Sequence, residues 1–298
     1  MYEQIKKNIW YSGLLLVAFI VFVVGLGYVL SVAYDSPLIF PLAILVAVAS
    51  GFSGYYCSDK IILATVRARP AERYEFPHYL NSIEGLALAA GIPVPRAYVI
   101  DDPAPNAFAS GRDPEHAVIC VTTGLLGMMN RVETEGVIAH EMSHIKNYDI
   151  RYMAIVSVLV GTIAMLADWF WWRGKLFGLR SSRRVSVQVQ GVFMLGGLVL
   201  AILAPISAAL IQAAISRQRE FLADANAALL TRYPDGLADA LQKIADDTNK
   251  LGSANKAVAH LFIANPLKDH GGSLNSQSFR HTSAHSGEDK APTGNVNG

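Results

Sequence analysis

The chain has 298 residues, of which 52% are hydrophobic and only 16% are charged, against roughly 25% charged in an ordinary soluble domain. This composition excludes a chain that is disordered throughout, and two cysteines, Cys57 and Cys120, are too few for a disulfide-stapled secreted fold. A formal net charge of +1 gives no global basic field that would recruit nucleic acid. The class that remains is an integral membrane protein whose reduced thiols face a reducing compartment.

Four stretches with at most one charge approach or exceed the roughly 20 residues that a helix needs to cross a bilayer. The first two, 9–33 and 38–58, are joined by a short turn. The third, 152–172, contains the single charge Asp168, and the fourth is most apolar over 192–215. The sequence therefore predicts four hydrophobic helices in two pairs. The first is an uncleaved anchor, because its apolar run is longer than the roughly 7–15 residues of a signal-peptide core.

Basic residues beside the first two segments predict the orientation in the membrane. Lys6 and Lys7 precede the first segment, and Lys60 and Arg67 follow the second, whereas the turn between the segments has no lysine or arginine. The N-terminus and the chain after residue 59 are therefore predicted to face the cytoplasm. The loop 173–184 is also basic, which leaves open whether the second pair crosses fully or dips in and returns.

The polar stretches predict an α+β fold that is mainly helical, with a small β-sheet. Strands are predicted at 96–100, 106–111 and 116–122, and a helix over 79–90 should stop at Gly91 and Pro93. A second helix is predicted after Asp235, which is interpreted as its N-cap. The predicted organisation is a transmembrane hairpin at 1–58, a polar domain in two parts at 59–151 and 217–267, a second hydrophobic pair at 152–216, and a disordered tail at 268–298.

Residues 140–144 read His-Glu-Met-Ser-His, a spacing that is typical of a metal site on a helix. The two histidines are four apart, so both imidazoles lie on one face of a helix and can hold one ion. Glu141 is rotated by roughly 100° from His140, which places its carboxylate beside the ion, as a general base requires. Asn130 and Glu133 form a capping-box pattern at the start of this helix. Chance gives the motif in under about one chain in a hundred, and the sequence therefore predicts a zinc site.

Catalytic zinc usually has three protein ligands, so two histidines leave one ligand to be found. Glu220 and Asp224 lie one helical turn apart, just after the fourth hydrophobic segment. A carboxylate on the ion, with an aspartate that accepts the free ring N–H of a ligating histidine, is a sensible arrangement for such a site. Taken alone, the pair would be interpreted as charges at a membrane exit. Beside His140 and His144, Glu220 is the best third-ligand candidate in the chain.

Four motifs together resemble those of the HtpX family of membrane zinc metalloproteases, which is related to the CAAX prenyl endopeptidases. Residues 140–144 followed by Asp149 resemble its active-site helix, and Ser-Arg-Gln-Arg-Glu at 216–220 with Ala-Asp at 223–224 resembles its second motif. Pro-Asn-Ala-Phe-Ala-Ser-Gly at 105–111 resembles its strand motif, and Leu-Phe-Ile-Ala-Asn-Pro-Leu at 261–267 a later segment. The hydrophobic pairs follow the family's order, and the similarity covers roughly residues 5–267.

The resemblance implies a zinc endopeptidase with a zincin-like catalytic domain, anchored in the cell (inner) membrane and facing the cytoplasm. Its substrates would be unfolded or misfolded membrane proteins, degraded in quality control. The residues that carry over are His140, His144 and Glu220 as ligands of one Zn²⁺ per chain, Glu141 as the base, Asp224 as the residue that orients a ligand, and Asn106 beside the substrate backbone. An edge strand suits the role of Asn106 because it can pair with an extended peptide, although an ordinary hairpin is the alternative.

The chain departs from the family near its end, where relatives usually continue into a segment with a His-Pro pair. Residues 278–286 contain His281 and His285, but no proline follows either. Neither histidine is assigned to the active site, and a catalytically inactive membrane scaffold stays open as an alternative. The other histidines lack metal-ligand spacing and are interpreted as surface or packing residues: His78, His116, His260 and His270.

Two further alternatives are disfavoured by the charges of the chain. An intramembrane protease would carry its metal motif inside a spanning helix, but Glu133, Glu135 and Lys146 flank the motif, and such charges are costly in lipid. A transporter with a chance motif is disfavoured because no charged residue lies deep within the apolar segments. The oligomeric state is left open.

Overall fold

The structure is a computed structural model that describes residues 2–33, 35–178, 205–206, 208–211, 216–249 and 258–263. All of these residues belong to one compact unit, Met1–Leu267. The described part is mainly helical with a mixed four-stranded sheet, as the α+β prediction requires. The fourth predicted hydrophobic segment lies outside the described residues except for 205–206 and 208–211, and the predicted tail 268–298 lies wholly outside them.

Two of the described helices are long and apolar enough to cross a membrane. Helix α1 (Tyr2–Ala33) contains the candidate span Ile5–Val32, and α2 (Ile39–Tyr56) is the second. The two helices pack closely, because a Cβ placed on Gly27 would lie only 2.0 Å from the Cβ of Ala43. The hydrophobic hairpin predicted at the N-terminus is therefore confirmed as a pair of helices.

Helices α6 (Arg131–Lys146) and α7 (Asp149–Gly178) could form a third candidate span only if taken together, and they are bent by 83° at their junction. Tyr148 lies at this junction with φ of 60°, a left-handed conformation that few residues other than glycine adopt. The third predicted hydrophobic segment lies within α7. The bend separates the apolar α7 from α6, which carries the predicted metal motif.

The described sheet has the strand order β1-β2-β4-β3. Its strands are β1 (Arg69–Pro70), β2 (Arg96–Ile100), β3 (Ala107–Ser110) and β4 (Val118–Thr122). β2 and β4 are parallel, whereas β1 pairs with β2 and β3 with β4 in the antiparallel sense. The three predicted strands are thus confirmed, and β3 is an edge strand whose four residues are all buried.

Further helices of the described residues are α3 (Ser58–Thr65), α4 (Pro77–Ala90), α5 (Thr123–Met128), α8 (Arg217–Thr231) and α9 (Pro234–Asp246), with short 3-10 turns at Pro114–His116 and Ala259–Leu261. α4 ends at Gly91, as predicted, with φ of 68°. The predicted cap at Asp235 is wrong, because α9 begins one residue earlier at Pro234. The fixed φ of proline suits the first position of a helix, and Asp235 therefore lies inside the first turn.

The core that supports the predicted site surrounds α6. Buried side chains of α6, including Ile138 and Met142, form one apolar cluster with residues of α4, the sheet, α8 and α9. The backbones of α6 and α9 are in close contact at two glycines. A Cβ on Gly136 of α6 would lie 2.7 Å from the Leu237 nitrogen, and a Cβ on Gly236 of α9 would lie 2.9 Å from the Val132 oxygen. α6 is therefore fixed on several sides.

Candidate metal centre

The start of α6 is fixed by the predicted capping box. The Asn130 side chain accepts from the Glu133 backbone at 3.0 Å, and the Glu133 carboxylate accepts from the Asn130 backbone at 2.9 Å. Lys243 of α9 donates to the same carboxylate at 2.8 Å. Burial opposes the charged form of Glu133, but the hydrogen bonds from Lys243 and Asn130 lower its pKa overall. The carboxylate is therefore ionised and stabilises the first turn of the helix.

Three side chains meet at the middle of α6 in a way that could hold a metal ion. His140 and His144, both about nine-tenths or more buried, bring their Nε2 atoms to 3.2 Å from each other. Oε2 of Glu220, on α8, lies 3.6 Å from Nε2 of His140 and 3.9 Å from Nε2 of His144. Two ligand atoms each about 2.0–2.1 Å from a tetrahedral zinc ion lie about 3.3 Å apart. The two histidine nitrogens match this separation and the Glu220 oxygen lies somewhat further from each of them, so the three residues that the sequence singled out could hold such an ion.

The charges around these three residues also favour a cation. Burial alone lowers the pKa of His140, but hydrogen bonds to Asp224 and Glu220 outweigh burial and raise the pKa to about 10. Burial alone raises the pKa of Glu220, but its contact with His140 and the nearby charge of His144 lower it overall. An ionised carboxylate therefore faces the imidazoles. The same carboxylates that hold a proton on His140 would favour a metal ion in its place, because a ligating histidine must be neutral.

Each histidine uses its other ring nitrogen to contact an aspartate. Nδ1 of His140 lies 3.0 Å from Oδ1 of Asp224, and Nδ1 of His144 lies 3.1 Å from Oδ2 of Asp149. An aspartate in this position accepts a hydrogen bond from the Nδ1–H group of a neutral imidazole, whose Nε2 then has a free lone pair for an ion. The sequence pointed to Asp224 for this task but assigned none to Asp149.

Glu141 lies next to the three residues, on the neighbouring position of α6. Glu141 is 3% exposed. Burial raises the pKa of its carboxyl group, and the charges of His140 and His144 lower this pKa to a lesser extent. The backbone of Ala109 in β3 also contacts the carboxylate and favours its charged form. Glu141 therefore lies between the histidines and the edge strand β3.

Asn106 immediately precedes β3 and is only 3% exposed. Its backbone N–H donates to the hydroxyl of Thr122 at 2.9 Å, and its side-chain oxygen accepts from the Ala107 backbone at 3.1 Å. The carbonyl of Ala107, on the outer edge of β3, accepts from the backbone of Ile263 at 3.0 Å. The structure thus binds Asn106 into the sheet, and its predicted contact with substrate stays a prediction.

A second link between α6 and α8 was not predicted. The Asn226 amide donates to the hydroxyl of Ser143 at 2.8 Å, and the Asn147 amide lies 3.3 Å from the same oxygen. Ser143 is the fourth residue of the His-Glu-Met-Ser-His motif, and Asn226 lies two residues after Asp224. Nothing in the local pattern marks Asn226, because its contact depends on how α8 packs against α6.

Comparison with known proteins agrees with this geometry. The chain matches Peptidase family M48 over residues 76–285. That is well over half of its length. The chain belongs to peptidase family M48. The M48 match contains the three metal-ligand candidates, the Glu141 position and both aspartates.

Individual relatives point to one branch of the M48 family. A protease HtpX homolog from Dictyoglomus turgidum is 48% identical over 226 residues, which cover 76% of this chain and 73% of the relative. The protease HtpX homolog of Caldanaerobacter subterraneus is 46% identical over 275 residues, 90% of each chain. That of Thermococcus kodakarensis is 41% identical over 259 residues, 86% of each chain. The resemblance to the HtpX family is thereby confirmed. The chain is an M48 peptidase, and the part of it that the structure describes contains two helices that could each span a membrane.

Proposed function

We propose that the chain is a membrane-anchored zinc endopeptidase that hydrolyses peptide bonds of misfolded or damaged membrane proteins. The proposal includes a cytoplasmic active site in a multi-pass protein of the cell (inner) membrane, and a role in quality control. Its partners would be unfolded membrane-protein segments and the lipid bilayer. The observation that carries the proposal is the convergence of His140, His144 and Glu220 beside the buried carboxylate of Glu141.

Zinc suits this donor set better than magnesium or calcium does. Two imidazoles and one carboxylate are a known ligand set of catalytic zinc, and they leave one position open for water or substrate. Magnesium and calcium prefer sites built entirely from oxygen ligands. The proposal is therefore one Zn²⁺ per chain, held by two residues of α6 and one of α8.

The bound ion and the surrounding residues would have different roles in the reaction. Bound zinc would activate a water molecule for attack and polarise the scissile carbonyl. Glu141 would accept a proton from the attacking water and pass it to the leaving amine nitrogen. Burial raises the pKa of Glu141, so its carboxylate holds that proton more readily than an exposed glutamate would. Asp224 and Asp149 would keep the Nε2 atoms of the two histidines free to bind the ion.

An extended peptide could approach this site along β3. The strand is at the edge of the sheet, and its residue Ala109 contacts Glu141, but a peptide that pairs along the whole strand would have to displace the Ile263 backbone from the Ala107 carbonyl. Main-chain pairing with an edge strand binds peptides with little dependence on their side chains, which suits an enzyme that acts on many unfolded proteins. Asn106, at the start of this strand, would then help to set the position of the peptide backbone.

The cytoplasmic orientation is supported by the start of α1. Lys6 and Lys7 precede the first hydrophobic segment, and lysine before a membrane helix favours the cytoplasmic side. Asn8, the next residue, contacts Asp149 beside His144. The basic end of α1 and the metal centre are therefore neighbours, and an orientation that leaves Lys6 in the cytoplasm also leaves the metal centre there.

We also infer that the four predicted hydrophobic helices complete the membrane part and that the catalytic domain is zincin-like. Support for the first inference comes from α1, α2 and the long helix α7, together with the uncharged stretch 185–216. Support for the second comes from α6, which carries the metal motif and packs on a sheet whose edge strand lies beside Glu141.

The test is zinc-dependent cleavage of an unfolded protein by the full chain purified in detergent, with zinc content measured on the same samples. Glu141→Gln should bind zinc as the wild type does, but cleave about 10²–10⁴-fold more slowly because it cannot accept a proton. Glu135→Gln is the matched control, since Glu135 lies on the same helix but pairs with Arg131 at 2.9 Å. That variant should retain both zinc and activity.

The outcomes separate the proposal from its alternative. A wild type that cleaves only with zinc, beside an inactive Glu141→Gln variant, supports the proposal. Zinc binding without cleavage by either protein would instead favour a catalytically inactive scaffold. Full activity in Glu141→Gln would exclude Glu141 as the base.

A further inference from the structure

We propose that Asn8, in the membrane helix α1, is a positioning residue of the metal centre that acts through Asp149 on His144. The inference rests on the proposed function, because it takes His144 as a metal ligand. Asn8 lies 136 positions before His144 and belongs to an apolar helix that would otherwise be interpreted as an anchor. The side-chain contacts of Asn8 give it a different task.

The amide of Asn8 donates to two acceptors beside the metal centre. Its nitrogen lies 2.6 Å from Oδ1 of Asp149 and 2.9 Å from the backbone oxygen of Asn147. A primary amide carries two N–H groups in a fixed plane, so the two contacts together determine its orientation. The side chain is buried, with the residue only 6% exposed. Asn8 therefore contacts the junction between α6 and α7, where the chain bends.

Asp149 uses its two carboxylate oxygens for two different partners. Oδ1 accepts from Asn8, and Oδ2 lies 3.1 Å from Nδ1 of His144. The residue is 1% exposed, and a buried carboxylate needs hydrogen-bond donors to offset the loss of water. With one oxygen held by α1, the carboxylate cannot rotate freely about its bond to Cβ. The position of the other oxygen, and with it the ring plane of His144, is thereby fixed.

Ser12, one turn further along α1, shows what a purely structural polar residue looks like on the same helix. It is 2% exposed, and its hydroxyl donates at 2.7 Å to the backbone oxygen of Asn8 in its own helix. Asn8, in contrast, directs its amide away from α1 to the aspartate beside His144. The consequence is that the position of α1 contributes to the affinity of the site for metal.

The experiment measures metal binding, so that it does not depend on turnover. Full-length wild type, Asn8→Ala, Asn8→Leu and Ser12→Ala are purified in detergent. Zinc affinity is measured by competition with a chromophoric chelator, and the visible spectrum of the cobalt-substituted protein reports ligand geometry.

Asn8→Ala should weaken zinc binding about tenfold, at the lower end of the 10–100-fold range for residues that support a ligand, and alter the cobalt spectrum. Asn8→Leu keeps a similar size but removes the donor, and should weaken binding at least as much. Ser12→Ala should change neither.

A double-mutant cycle tests whether Asn8 acts through Asp149. Asn8→Ala should have no further effect on zinc affinity in an Asp149→Ala background, since the group that it positions is absent. Additive losses, or equal zinc affinities and cobalt spectra for Asn8→Ala and wild type, would overturn the inference. The unfolding temperature of the chelated proteins shows whether a variant has lost its fold, and Asn8→Leu, which keeps a similar size, decides the case if Asn8→Ala does not fold. A wild type that binds no zinc would refute the proposed function itself, whereas normal zinc binding by both Asn8 variants would refute only the role of Asn8.

Discussion

Asp224 Oδ1 lies 3.0 Å from Nδ1 of His140, while Oε2 of Glu220 lies 3.6 Å from Nε2 of the same ring. Two residues of α8, one turn apart, therefore contact both nitrogens of one histidine on α6. This arrangement fixes the ring plane of His140. The packing of α8 against α6 is thus part of the metal centre itself.

Replacing Asp224 by alanine should weaken zinc binding about 10–100-fold, because the Nδ1 proton of His140 loses its acceptor and the ring loses its orientation. Asp224→Asn should have a smaller effect, since an amide oxygen can still accept the hydrogen bond. Zinc affinity measured by chelator competition checks both variants. Asp239→Asn, at an exposed position of α9, controls for the loss of a negative charge, and an equal loss of affinity in that variant would contradict the role of Asp224.

Removing the metal should lower the thermal stability of the protein. Ligands from α6 and α8 would be joined by the ion, and a ligand that binds only the folded state stabilises it by about 2.7 kcal/mol at 100 times its dissociation constant. The measurement is the unfolding temperature with and without a strong chelator, followed by addition of zinc. Glu220→Ala should show a much smaller shift between the two conditions. A wild-type unfolding temperature that does not respond to chelator or zinc would contradict the proposed metal centre.

The sequence predicted the parts of the site that depend on local helix geometry. His140 and His144 share one face of α6 because they are four apart, and the capping box at Asn130 is likewise a local pattern. The pairing of Glu220 with Asp224 follows from the same rule on α8. Such spacings determine which side chains are neighbours within a helix. They do not determine how one helix meets another.

The contacts that the sequence did not predict all depend on tertiary packing. Asp149 reaches His144 only because the chain bends at Tyr148, and a left-handed tyrosine has no sequence signature. Asn8 meets Asp149 across 141 positions, and Asn226 meets Ser143 across 83. Each of these residues is an ordinary polar residue in the sequence, and its importance follows from the residue that it contacts.

The close approach of α6 to α9 predicts that Gly136→Ala destabilises the protein. The added Cβ would lie 2.7 Å from the Leu237 nitrogen and 2.9 Å from its Cα, which are backbone atoms that cannot move aside without shifting the helix. Overpacking of this kind costs about 1–3 kcal/mol, and displacement of α6 should also weaken zinc binding.

Gly85→Ala on α4 is the matched control, since no atom of another part of the described structure lies within 4 Å of the new Cβ. That variant should be stabilised by about 0.5–1 kcal/mol, because alanine favours helix over glycine. Unfolding temperatures and denaturant midpoints measure both, and a neutral Gly136→Ala would contradict this packing.

The buried His260 predicts that acid destabilises the folded protein. His260 is 7% exposed, and its Nε2 lies 3.2 Å from the Ser157 hydroxyl. Its Nδ1 has no hydrogen-bond partner among the residues that the structure describes. Burial lowers the pKa of His260 from its usual 6.5 to about 4.

Between these two pKa values the unfolded chain binds a proton on His260 that the folded chain does not. Stability therefore rises with pH over this interval and is lost as the pH falls from about 6.5 to about 4. The stability lost over this interval is up to roughly 3 kcal/mol, since one pKa unit corresponds to about 1.4 kcal/mol. The measurement is the unfolding temperature at several pH values for wild type and His260→Gln, with His78→Gln as a control for the loss of an exposed histidine. The difference between wild type and His260→Gln should change in this interval and be constant above pH 7, because there His260 is neutral in both the folded and the unfolded chain. A difference that does not vary with pH would contradict this prediction, because it would mean that His260 binds a proton equally well in the folded and in the unfolded chain.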